Sequence, residues 1–475
     1  MRPARYCQLF LSAMATDFLW GPKPFLQKVS VKIGRKLQEC GFRLPVPLEI
    51  MSRAGVPDTT SWQDLGEPIF PSVNRQPSDE ARVLYLVNSA QPYTVSGYTV
   101  RTQKLLHELR RQDVAVYPAT RMGYPATIGV VPTRDSVSVD DINYFLLLPS
   151  RISLRRGQNR RKAINLLVEM ARQLDITLLH TTTDFRNASL ISEVARILEI
   201  PWVYEVRGER DKTLELGHSG QRSREFLAEF RGRETQAMQA ASAVLVLSDV
   251  SRRRVEERGV PKDNIYVVPN GFDRDEAIEA PTRDFAREKI GIPSSTKLVG
   301  TITSVVDYEG LDSLVLALEF LDGDTKALIV GSGSELPALQ QLAEERGLTE
   351  RVVFAGKQDP EAIPLWCAAL DVFVLPRRDY EVCRAVTPLK PMLAMGMKIP
   401  VVASDLPAVR EATGELALYV PPDDPEALSD AIRKVLVDPD HFYGHRLEAF
   451  LDTRTWQSSA ERLIQAYEET LSPDA

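Results

Sequence analysis

Short apolar segments alternate with amphipathic helical segments through most of this 475-residue chain, and no other feature constrains its fold as strongly. Mostly apolar runs of four to six residues between helices are typical of parallel strands that are buried on both faces. A first series of such runs extends from Val83-Leu-Tyr-Leu-Val to about Val267, and a second begins at Leu298-Val-Gly-Thr-Ile. The sequence therefore predicts two successive doubly wound α/β domains with parallel sheets.

The strand pattern and two linkers divide the chain into four parts. A polar, proline-containing stretch from Pro68 to Pro77 predicts a linker, and a hinge is expected near residues 270–290. The predicted parts are an N-terminal extension and linker (1–78), a Rossmann-like domain (79–272), a second Rossmann-like domain (273–440) and C-terminal helices (441–475). Within the extension, Phe25 to Leu37 has helical periodicity and several basic residues. This suits either a helix on a membrane surface or one packed on the protein.

Composition and charge narrow the possible functions. The net charge of -7 argues against a general nucleic-acid binder, which usually has a basic surplus. Four cysteines (Cys7, Cys40, Cys367 and Cys383) are scattered without metal-ligand spacing, which predicts a reduced environment and no metal site. No apolar run approaches the roughly 20 residues of a membrane-spanning helix. We therefore expect a cytoplasmic protein, with a cleaved signal near residues 6–15 as the minor alternative.

Two loops that follow predicted strands contain the glycines that close approach of a ligand requires. In open parallel sheets, ligands bind at the carboxyl ends of strands, where loops lead into helix N-termini. Ser96 and Gly97 follow the first strand, and Gly331, Ser332 and Gly333 precede a helix in the second domain. Free amides at helix starts suit the phosphates of a nucleotide, although a tight strand-to-helix turn needs glycine as well. The absence of a third glycine disfavours NAD or FAD.

The segment from Val374 to Pro391 is the densest in charge. It follows a predicted strand and contains the basic residues Arg377, Arg378, Arg384 and Lys390. Fixed cations between a strand and the next helix would stabilise the charge that develops on a departing diphosphate. A solvated charged loop is the alternative, but the prolines on both sides of Leu389 and Lys390 favour a preset site.

Taken together, these motifs resemble the retaining glycosyltransferases of family four, which share the GT-B fold of two Rossmann-like domains facing across a cleft. The resemblance extends from about Val83 to the end of the chain. It is carried by Ser96-Gly97-Tyr98 with Arg101, Thr120-Arg121-Met-Gly-Tyr-Pro, Trp202-Val-Tyr-Glu-Val-Arg-Gly, Val268-Pro-Asn-Gly, Tyr308-Glu-Gly-Leu-Asp, Gly331-Ser-Gly, Phe354-Ala-Gly, Thr387-Pro-Leu-Lys-Pro and Pro400-Val-Val-Ala-Ser-Asp-Leu-Pro.

The resemblance implies that a nucleoside-diphosphate sugar binds as co-substrate on the C-terminal domain, with no tightly bound cofactor. The acceptor would bind on the N-terminal domain. The implied donor-binding residues are Ser96, Gly97, Gly331, Ser332, Gly333, Phe354, Gly356, Lys357, Thr387, Pro388 and Leu389. On the acceptor side they are Arg101, Glu205 and Arg207. The resemblance also implies retention of configuration at the transferred sugar.

Three residues are assigned to the chemistry of a metal-independent transfer. Arg384 and Lys390 would neutralise the leaving diphosphate, together with helix N-termini. His180 stands where the family often has a His-X-His pair, but Thr182 occupies the second position. A lone histidine there is as often structural as catalytic.

Some positions depart from the family pattern. Ala385 and Leu393 occupy the places of two glutamates, and the family's basic pair that grips the diphosphate falls near Ser304 and Glu309, so that pair is missing too. Leucine cannot accept a hydrogen bond from a ribose hydroxyl, and losing such a contact costs roughly 1–3 kcal/mol. A partner subunit that has lost donor chemistry, and a sugar-nucleotide epimerase of the same fold, are therefore kept as alternatives.

A basic run from Arg151 to Lys162 lies on the predicted acceptor side. It would suit a lipid-phosphate acceptor or peripheral contact with the anionic inner face of a membrane. A solvated helix start is the alternative. The expected partners are thus a nucleotide-sugar donor and a glycan or lipid-linked acceptor, with no nucleic acid. The sugar, the base, the acceptor and the oligomeric state are not determined by the sequence.

Overall fold

The computed structural model describes residues 80–153, 156–217, 221–439 and 442–472. The predicted helix at Phe25 to Leu37, the signal-like stretch and the linker at Pro68 to Pro77 lie outside these residues. The described part of the chain forms two separate β-sheets, of eight and six strands. Both are flanked by helices, as the alternation of apolar runs and amphipathic segments predicts.

The first sheet contains β1 (Arg82–Val87), β2 (Ala115–Thr120), β3 (Ser136–Val139), β4 (Ile142–Leu146), β5 (Leu178–Thr182), β6 (Trp202–Val206), β7 (Ala243–Val246) and β8 (Ile265–Val267). The order across the sheet is β3-β4-β2-β1-β5-β6-β7-β8, and every neighbouring pair is parallel except β3 with β4. The helices of this domain are α1 (Gly97–Arg111), α2 (Arg156–Gln173), α3 (Phe185–Leu198), α4 (Arg210–Gly217), α5 (Gln221–Ala240) and α6 (Asp249–Glu256).

The apolar strands are buried on both faces of this sheet. Val83 packs with Leu105 on one face, whereas its neighbour Leu84 packs with Phe185 and Trp202 on the other. Successive side chains of a strand point to opposite faces, so a run that is apolar throughout requires cover on both sides. The hairpin of β3 and β4 was not predicted, because β3 at the sheet edge is only partly buried and has the weak pattern Ser-Val-Ser-Val.

The second sheet contains β9 (Lys297–Ile302), β10 (Thr325–Val330), β11 (Val352–Gly356), β12 (Val372–Leu375), β13 (Val401–Ser404) and β14 (Leu418–Val420). Its order is β11-β10-β9-β12-β13-β14, with all neighbours parallel. The helices after β8 are α7 (Arg274–Ile278), α8 (Arg283–Ile290), α9 (Leu311–Ala317), α10 (Leu336–Glu345), α11 (Ile363–Ala368), α12 (Glu381–Ala385), α13 (Pro391–Gly396), α14 (Pro407–Ala412), α15 (Pro425–Val437), α16 (Arg446–Asp452) and α17 (Trp456–Leu471).

The chain crosses between the domains twice, and the two crossings lie side by side. The backbone amide of Phe272 donates to the carbonyl of Arg454 at 2.9 Å. A β-carbon at Gly271 would stand only 2.6 Å from the backbone nitrogen of Trp456, so a side chain would not fit there. After the second crossing, α17 packs on α1 and joins the apolar cluster of Val83. The last helix therefore completes the core of the N-terminal domain. The exact boundaries of the two domains stay a prediction.

Charged side chains also connect the two domains. The Glu411 carboxylate of α14 accepts the backbone amides of Asp249 and Val250, at 2.5 and 2.9 Å. These amides begin α6, where the helix dipole favours an anion. Arg254 of the same helix pairs with Glu381 of α12 at 3.0 Å. In the described residues, no helix has both the length and the apolar character that crossing a bilayer demands.

Candidate active site in the cleft between the domains

A cavity of about 1180 Å³ lies at the carboxyl ends of four adjacent strands of the first sheet. Asn88 follows β1, Arg121 follows β2, Thr183 follows β5 and Arg207 follows β6, and all four line the cavity. Lys357, which follows β11 of the second domain, lines it too. We call it the cleft cavity. It exceeds the roughly 300–1,000 Å³ of a typical small-molecule pocket and so has room for more than one ligand group.

Positive charge dominates the lining of the cleft cavity. Its basic residues are Arg121, Arg160, Arg186, Arg207, Arg210, Arg233 and Lys357, and Asp184 is the acidic residue among the lining residues. The Asp184 carboxylate lies 2.5 Å from Arg186 and 3.1 Å from Arg210, whose side chains stay 47% and 50% exposed. This excess is present in a chain whose net charge is -7. The cleft cavity is therefore suited to an anionic ligand.

Beneath the cleft cavity lies a buried ionic cluster centred on Glu205, which we call the Glu205 cluster. The carboxylate accepts hydrogen bonds from the Tyr85 hydroxyl at 2.6 Å, from Arg101 at 2.8 Å and from Arg207 at 2.7 Å. Although burial opposes ionisation, Arg207 and Arg101 keep the pKa of Glu205 below its ordinary value. Of the three predicted acceptor-side residues, Arg207 lines the cleft cavity, and Arg101 and Glu205 support it from below.

His180 lies in the core, not in the cleft cavity. Its ring is fully buried and stacks on Tyr85, with ring centroids 3.9 Å apart. Nδ1 is 2.7 Å from the Tyr467 hydroxyl of α17, and Nε2 is 3.7 Å from Glu205. Burial lowers the pKa of His180 to about 3, so the ring is neutral. This placement favours the structural role over the catalytic one, because a fully buried ring that joins two elements of the core cannot reach a substrate.

Ser96 and Gly97 begin α1 at the edge of the cleft cavity. Ser96 caps the helix: its backbone amide donates to the Thr99 hydroxyl at 2.9 Å, and its own hydroxyl accepts the Thr99 amide. This reciprocal arrangement is a capping box. Outside its chain neighbours and its own helical turn, Gly97 has no protein atom within 4 Å of the place where a β-carbon would be, so packing does not require glycine. The lining residues Val95 and Tyr98 flank the pair, and the open space at Gly97 permits a ligand to approach the backbone.

The second domain has its own ionic cluster at the carboxyl end of β9, formed by Thr303, Glu309, Arg377 and Lys390. We call it the Glu309 cluster. Glu309 is buried and lies 3.1 Å from Arg377 and 2.7 Å from the Lys390 ammonium, which also contacts the Thr303 hydroxyl. Although burial opposes ionisation, these two cations lower the pKa of Glu309 to about 2. Lys390, predicted to neutralise a diphosphate, is thus already paired with a carboxylate.

Gly331 and Gly333 pack directly on the loop after β9. A β-carbon at Gly331 would stand 1.7 Å from the carbonyl oxygen of Thr303, and one at Gly333 would stand 2.0 Å from that of Val305. Close backbone packing therefore explains both glycines without a ligand. Between them, the Ser332 carbonyl accepts the Val305 amide at 3.1 Å. Because Thr303 also contacts Lys390, the fold does bring the predicted glycine loop and the predicted lysine to one place.

The Thr387, Pro388 and Leu389 turn lies against the N-terminal domain. Thr387 and Pro388 are buried, and Leu389 packs on the apolar cluster that contains Val83. The Thr387 hydroxyl is buried without a hydrogen-bond partner in the described part of the chain. Eight other buried side-chain atoms of the described residues share this property, Trp202 Nε1 in the core among them, so it does not by itself indicate a ligand.

The other predicted donor-side residues are dispersed around β11 and α12. Phe354 packs in the apolar core of the second sheet, and Gly356 turns the chain with φ +68° so that Lys357 reaches the cleft cavity. Arg384 is exposed and donates to Asp379 at 2.6 Å. Leu393 is half-buried and packs against the apolar core. The roles assigned to these residues stay predictions.

Five arginines of the cleft cavity were not predicted as site residues: Arg121, Arg160, Arg186, Arg210 and Arg233. Arg121 comes directly after β2, and Arg186 and Arg210 follow β5 and β6 by four residues each. Arg160 belongs to the basic run that we considered for lipid contact or a solvated helix start. For Arg121, Arg186 and Arg210 the available signal was a cation within four residues of a strand end, which a search for glycine loops does not detect.

Comparison with known proteins agrees with this architecture. Residues 96–271 match the family model of the glycosyl transferase 4-like domain, and residues 296–438 match that of the glycosyl transferases group 1. A D-inositol 3-phosphate glycosyltransferase of Corynebacterium jeikeium is 31% identical over 222 residues, which are 43% of this chain and 52% of that protein. The chain spans between half and two thirds of the length of such curated relatives.

Solved structures match over a larger part of the chain. Sucrose-phosphate synthase from Thermosynechococcus elongatus superposes with a TM-score of 0.64 at 20% identity, covering 82% of this chain and 98% of that one. The Anabaena HepE protein in complex with UDP-glucose gives a TM-score of 0.58 at 17% identity, with 82% and 99% covered. At such identities these two matches show the fold. With both domain models matched in order and two facing parallel sheets, this chain belongs to the glycosyltransferases of the GT-B fold.

Proposed function

We propose that this protein transfers a sugar, with retention, from a nucleoside-diphosphate sugar on its C-terminal domain to a hydroxyl of an acceptor in the cleft cavity. The observation that carries the proposal is the position of Lys357. This residue follows a strand of the second sheet and lines the same cavity as loops at four strand ends of the first sheet. Ligands bind at such strand ends in open parallel sheets, so substrates on the two domains would meet there.

Two further observations support a donor on the second domain. The Gly331 loop, Thr303 and Lys390 meet at the end of β9. Anabaena HepE, which has the same fold, binds UDP-glucose. Arg384 and Lys390 would then stabilise the charge on the departing diphosphate. A phosphate oxygen of the leaving group can accept the proton of the acceptor hydroxyl, so the proposal assigns no side chain as general base.

A panel of nucleotide-sugars tests the donor first. Ligand that binds only the folded protein raises its apparent stability, by about 2.7 kcal/mol at a concentration one hundred times Kd. One nucleotide-sugar should therefore raise the melting temperature well above the others. No response to any nucleoside diphosphate or nucleotide-sugar would favour a partner subunit without donor chemistry.

Substitution of the two catalytic candidates tests the mechanism. Lys390→Ala and Arg384→Ala should each lower turnover by roughly two orders of magnitude, as removal of a charge-stabilising group usually does. Arg346→Ala, on a surface pair with Glu319 in the same domain, is the matched control and should leave turnover within about twofold. Near-normal turnover in both Lys390→Ala and Arg384→Ala would overturn the assignment.

A further inference from the structure

Four short helices meet where the two domains touch, beside the cleft cavity. Two of them, α4 and α6, belong to the N-terminal domain, and the other two, α12 and α14, belong to the second domain. In this group α12 packs on α14, α4 packs on α12, and α6 packs on α14. We call it the four-helix junction. A displacement of one domain against the other must change the contacts of this junction.

The second domain holds the N-terminus of α6 through hydrogen bonds. The two carboxylate oxygens of Glu411 accept the backbone amides of Asp249 and Val250. The Ser251 hydroxyl of the same turn donates to the carbonyl of Ala385, the last residue of α12, at 3.2 Å. A carboxylate at the positive end of a helix dipole makes a stronger contact than a neutral acceptor does. The first turn of α6 is thus attached to both α12 and α14.

The C-terminal part of α6 in turn holds α4 through ion pairs. Arg254 donates to both carboxylate oxygens of Glu209, which directly precedes α4, at 2.6 and 3.0 Å. Just beyond the end of α6, Arg258 lies 3.5 Å from Asp211 in the first turn of α4, and both side chains are largely buried. Arg254 also reaches Glu381 of α12, but that carboxylate is 57% exposed, so solvent screens the pair.

Helix α4 forms part of the wall of the cleft cavity. Arg210 and Thr213, both exposed, line the cavity from this helix. With eight residues, α4 is too short to be stable without tertiary contacts. The cavity enclosed by α4, α6 and the turn at Val386 and Thr387 has a volume of about 20 Å³, which is room for about one water molecule. The position of Arg210 therefore depends on the ion pairs that hold α4 to α6.

We propose that α6 couples the second domain to the cleft cavity, and that Arg254 is the positioning residue of this coupling. While the second domain is docked on the first turn of α6, the helix is fixed and Arg254 holds α4 in the cavity wall. When the second domain moves away, Glu411 leaves with it, and α6 and α4 loosen together. A donor that favours the docked state therefore also completes the cavity for the acceptor. This inference rests on the proposed function, because it describes how that acceptor site is regulated.

Hydrogen exchange measured by mass spectrometry tests the coupling without a substrate. Glu411→Ala should speed exchange in the first turn of α6 by about tenfold, the scale of a lost charge-assisted hydrogen bond. It should also speed exchange in α4 by about fivefold, which is the lower range of coupling between distinct sites. In the described residues the Glu411 carboxylate bonds to amides of α6 and not of α4, so this second response measures the coupling. Unchanged exchange in α4 would overturn the inference.

Two residues supply matched controls. Glu415 pairs with Arg410 inside the second domain, and Arg252 pairs with Asp249 and Glu256 inside α6. Glu415→Ala and Arg252→Ala should each change exchange in α4 by less than about twofold. Exchange in α2, which packs on α3 and is not one of the four helices, reports global stability. Equal acceleration of α2 and α4 in Glu411→Ala would show a general loss of stability and contradict the coupling.

Substitution of Arg254 tests the positioning residue. Arg254→Ala should speed exchange in α4 by about fivefold. Arg254→Lys should restore part of the protection, because lysine can still pair with Glu209 but not through two parallel hydrogen bonds. Adding Glu411→Ala to Arg254→Ala should change exchange in α4 by less than about twofold, since residues that act through one another are not additive. Additive effects of the two substitutions would overturn the role of Arg254.

UDP separates this inference from the proposed function. If the second domain holds UDP, the ligand should slow exchange in α4 of the wild type but not of Arg254→Ala, although calorimetry should show that both proteins bind it. Equal slowing in both proteins would overturn the role of Arg254. Failure of the wild type to bind UDP or any other nucleoside diphosphate would contradict the proposed function, while the response of α4 to Glu411→Ala would still decide whether α6 couples the domains.

Discussion

The two domains place basic side chains at equivalent points, the carboxyl ends of their parallel strands, but these charges meet different partners. In the N-terminal domain, Arg186 and Arg210 share one aspartate and stay about half exposed to the cleft cavity. In the C-terminal domain, Arg377 and Lys390 both pair with Glu309, and their side chains are only 8% and 26% exposed. Two cations share one carboxylate in both places, so a basic residue near a strand end is available to a ligand only where the fold leaves it exposed.

Arg378 extends the contrast within the second domain. It contacts the carboxylates of Asp307, Asp312 and Asp423, so three acidic groups surround one guanidinium. The densely charged segment from Val374 to Pro391 is thus largely neutralised inside its own domain. The half-exposed Arg186 and Arg210 lie in the other domain, on the side where we place the acceptor.

The largest expected effect is a loss of stability when the Glu205 cluster, the buried charge network of the N-terminal domain, is substituted. Glu205→Gln leaves Arg101 and Arg207 buried without a counter-charge, and breaking a buried ion pair in this way costs about 3–5 kcal/mol. Urea denaturation should show this loss. Glu229→Gln, which breaks the more exposed pair with Arg233, is the control and should cost at most about 1 kcal/mol. Equal losses of stability in Glu205→Gln and Glu229→Gln would mean that burial does not make the Glu205 pairs more important for stability than the exposed pair.

A smaller and pH-dependent effect is expected from His180. Its pKa is about 3 in the folded protein and about 6.5 when unfolded. Between these pH values the unfolded chain binds a proton that the folded protein does not. The contribution of neutral His180 to the free energy of unfolding is therefore complete above pH 6.5 and decreases as the pH drops. The loss is about 1.4 kcal/mol per pH unit, or roughly 2 kcal/mol at pH 5.

His180→Phe should remove this part of the pH dependence while keeping a ring against Tyr85. The pH dependence of the variant must be compared with that of the wild type, because the titration of buried Glu234 changes the stability in the opposite direction. Burial raises the pKa of Glu234 to about 7, which adds stability as the pH falls from 7 towards 4.5. Unfolding in urea at pH 6.5 and pH 5 measures the difference. Parallel pH profiles for the two proteins would contradict a neutral, buried His180.

The smallest expected effect tests the neutralised cations of the second domain. Glu309→Gln removes the carboxylate that occupies Lys390 and would repel a diphosphate, so UDP should bind about tenfold more tightly. Calorimetry with UDP measures this change. Glu381→Gln, on the exposed pair with Arg254, should alter the UDP affinity by less than twofold. Weaker UDP binding in Glu309→Gln would show instead that Glu309 holds Lys390 in position for the ligand.

The sequence by itself determined the architecture, because strand and helix patterns are local. Apolar runs such as Val83 to Val87 and the amphipathic segments between them predict parallel sheets covered on both faces, and the structure has two such sheets. The order of the motifs along the chain indicated a glycosyltransferase, and the two glycosyltransferase domain models match the chain in that order. It also indicated the strand ends, where the cleft cavity lies.

Only the tertiary structure decided which of the charged residues face the cleft cavity. Lys390 and Glu309 are 81 residues apart in the chain, and His180 and Tyr467 are 287 apart, so no local pattern reveals that either pair is formed. The same holds for Arg160, which reads as part of a solvated basic run until α2 directs it towards the cleft cavity. Charge and burial depend on partners across the fold, whereas strands and helices follow from the periodicity of neighbouring residues.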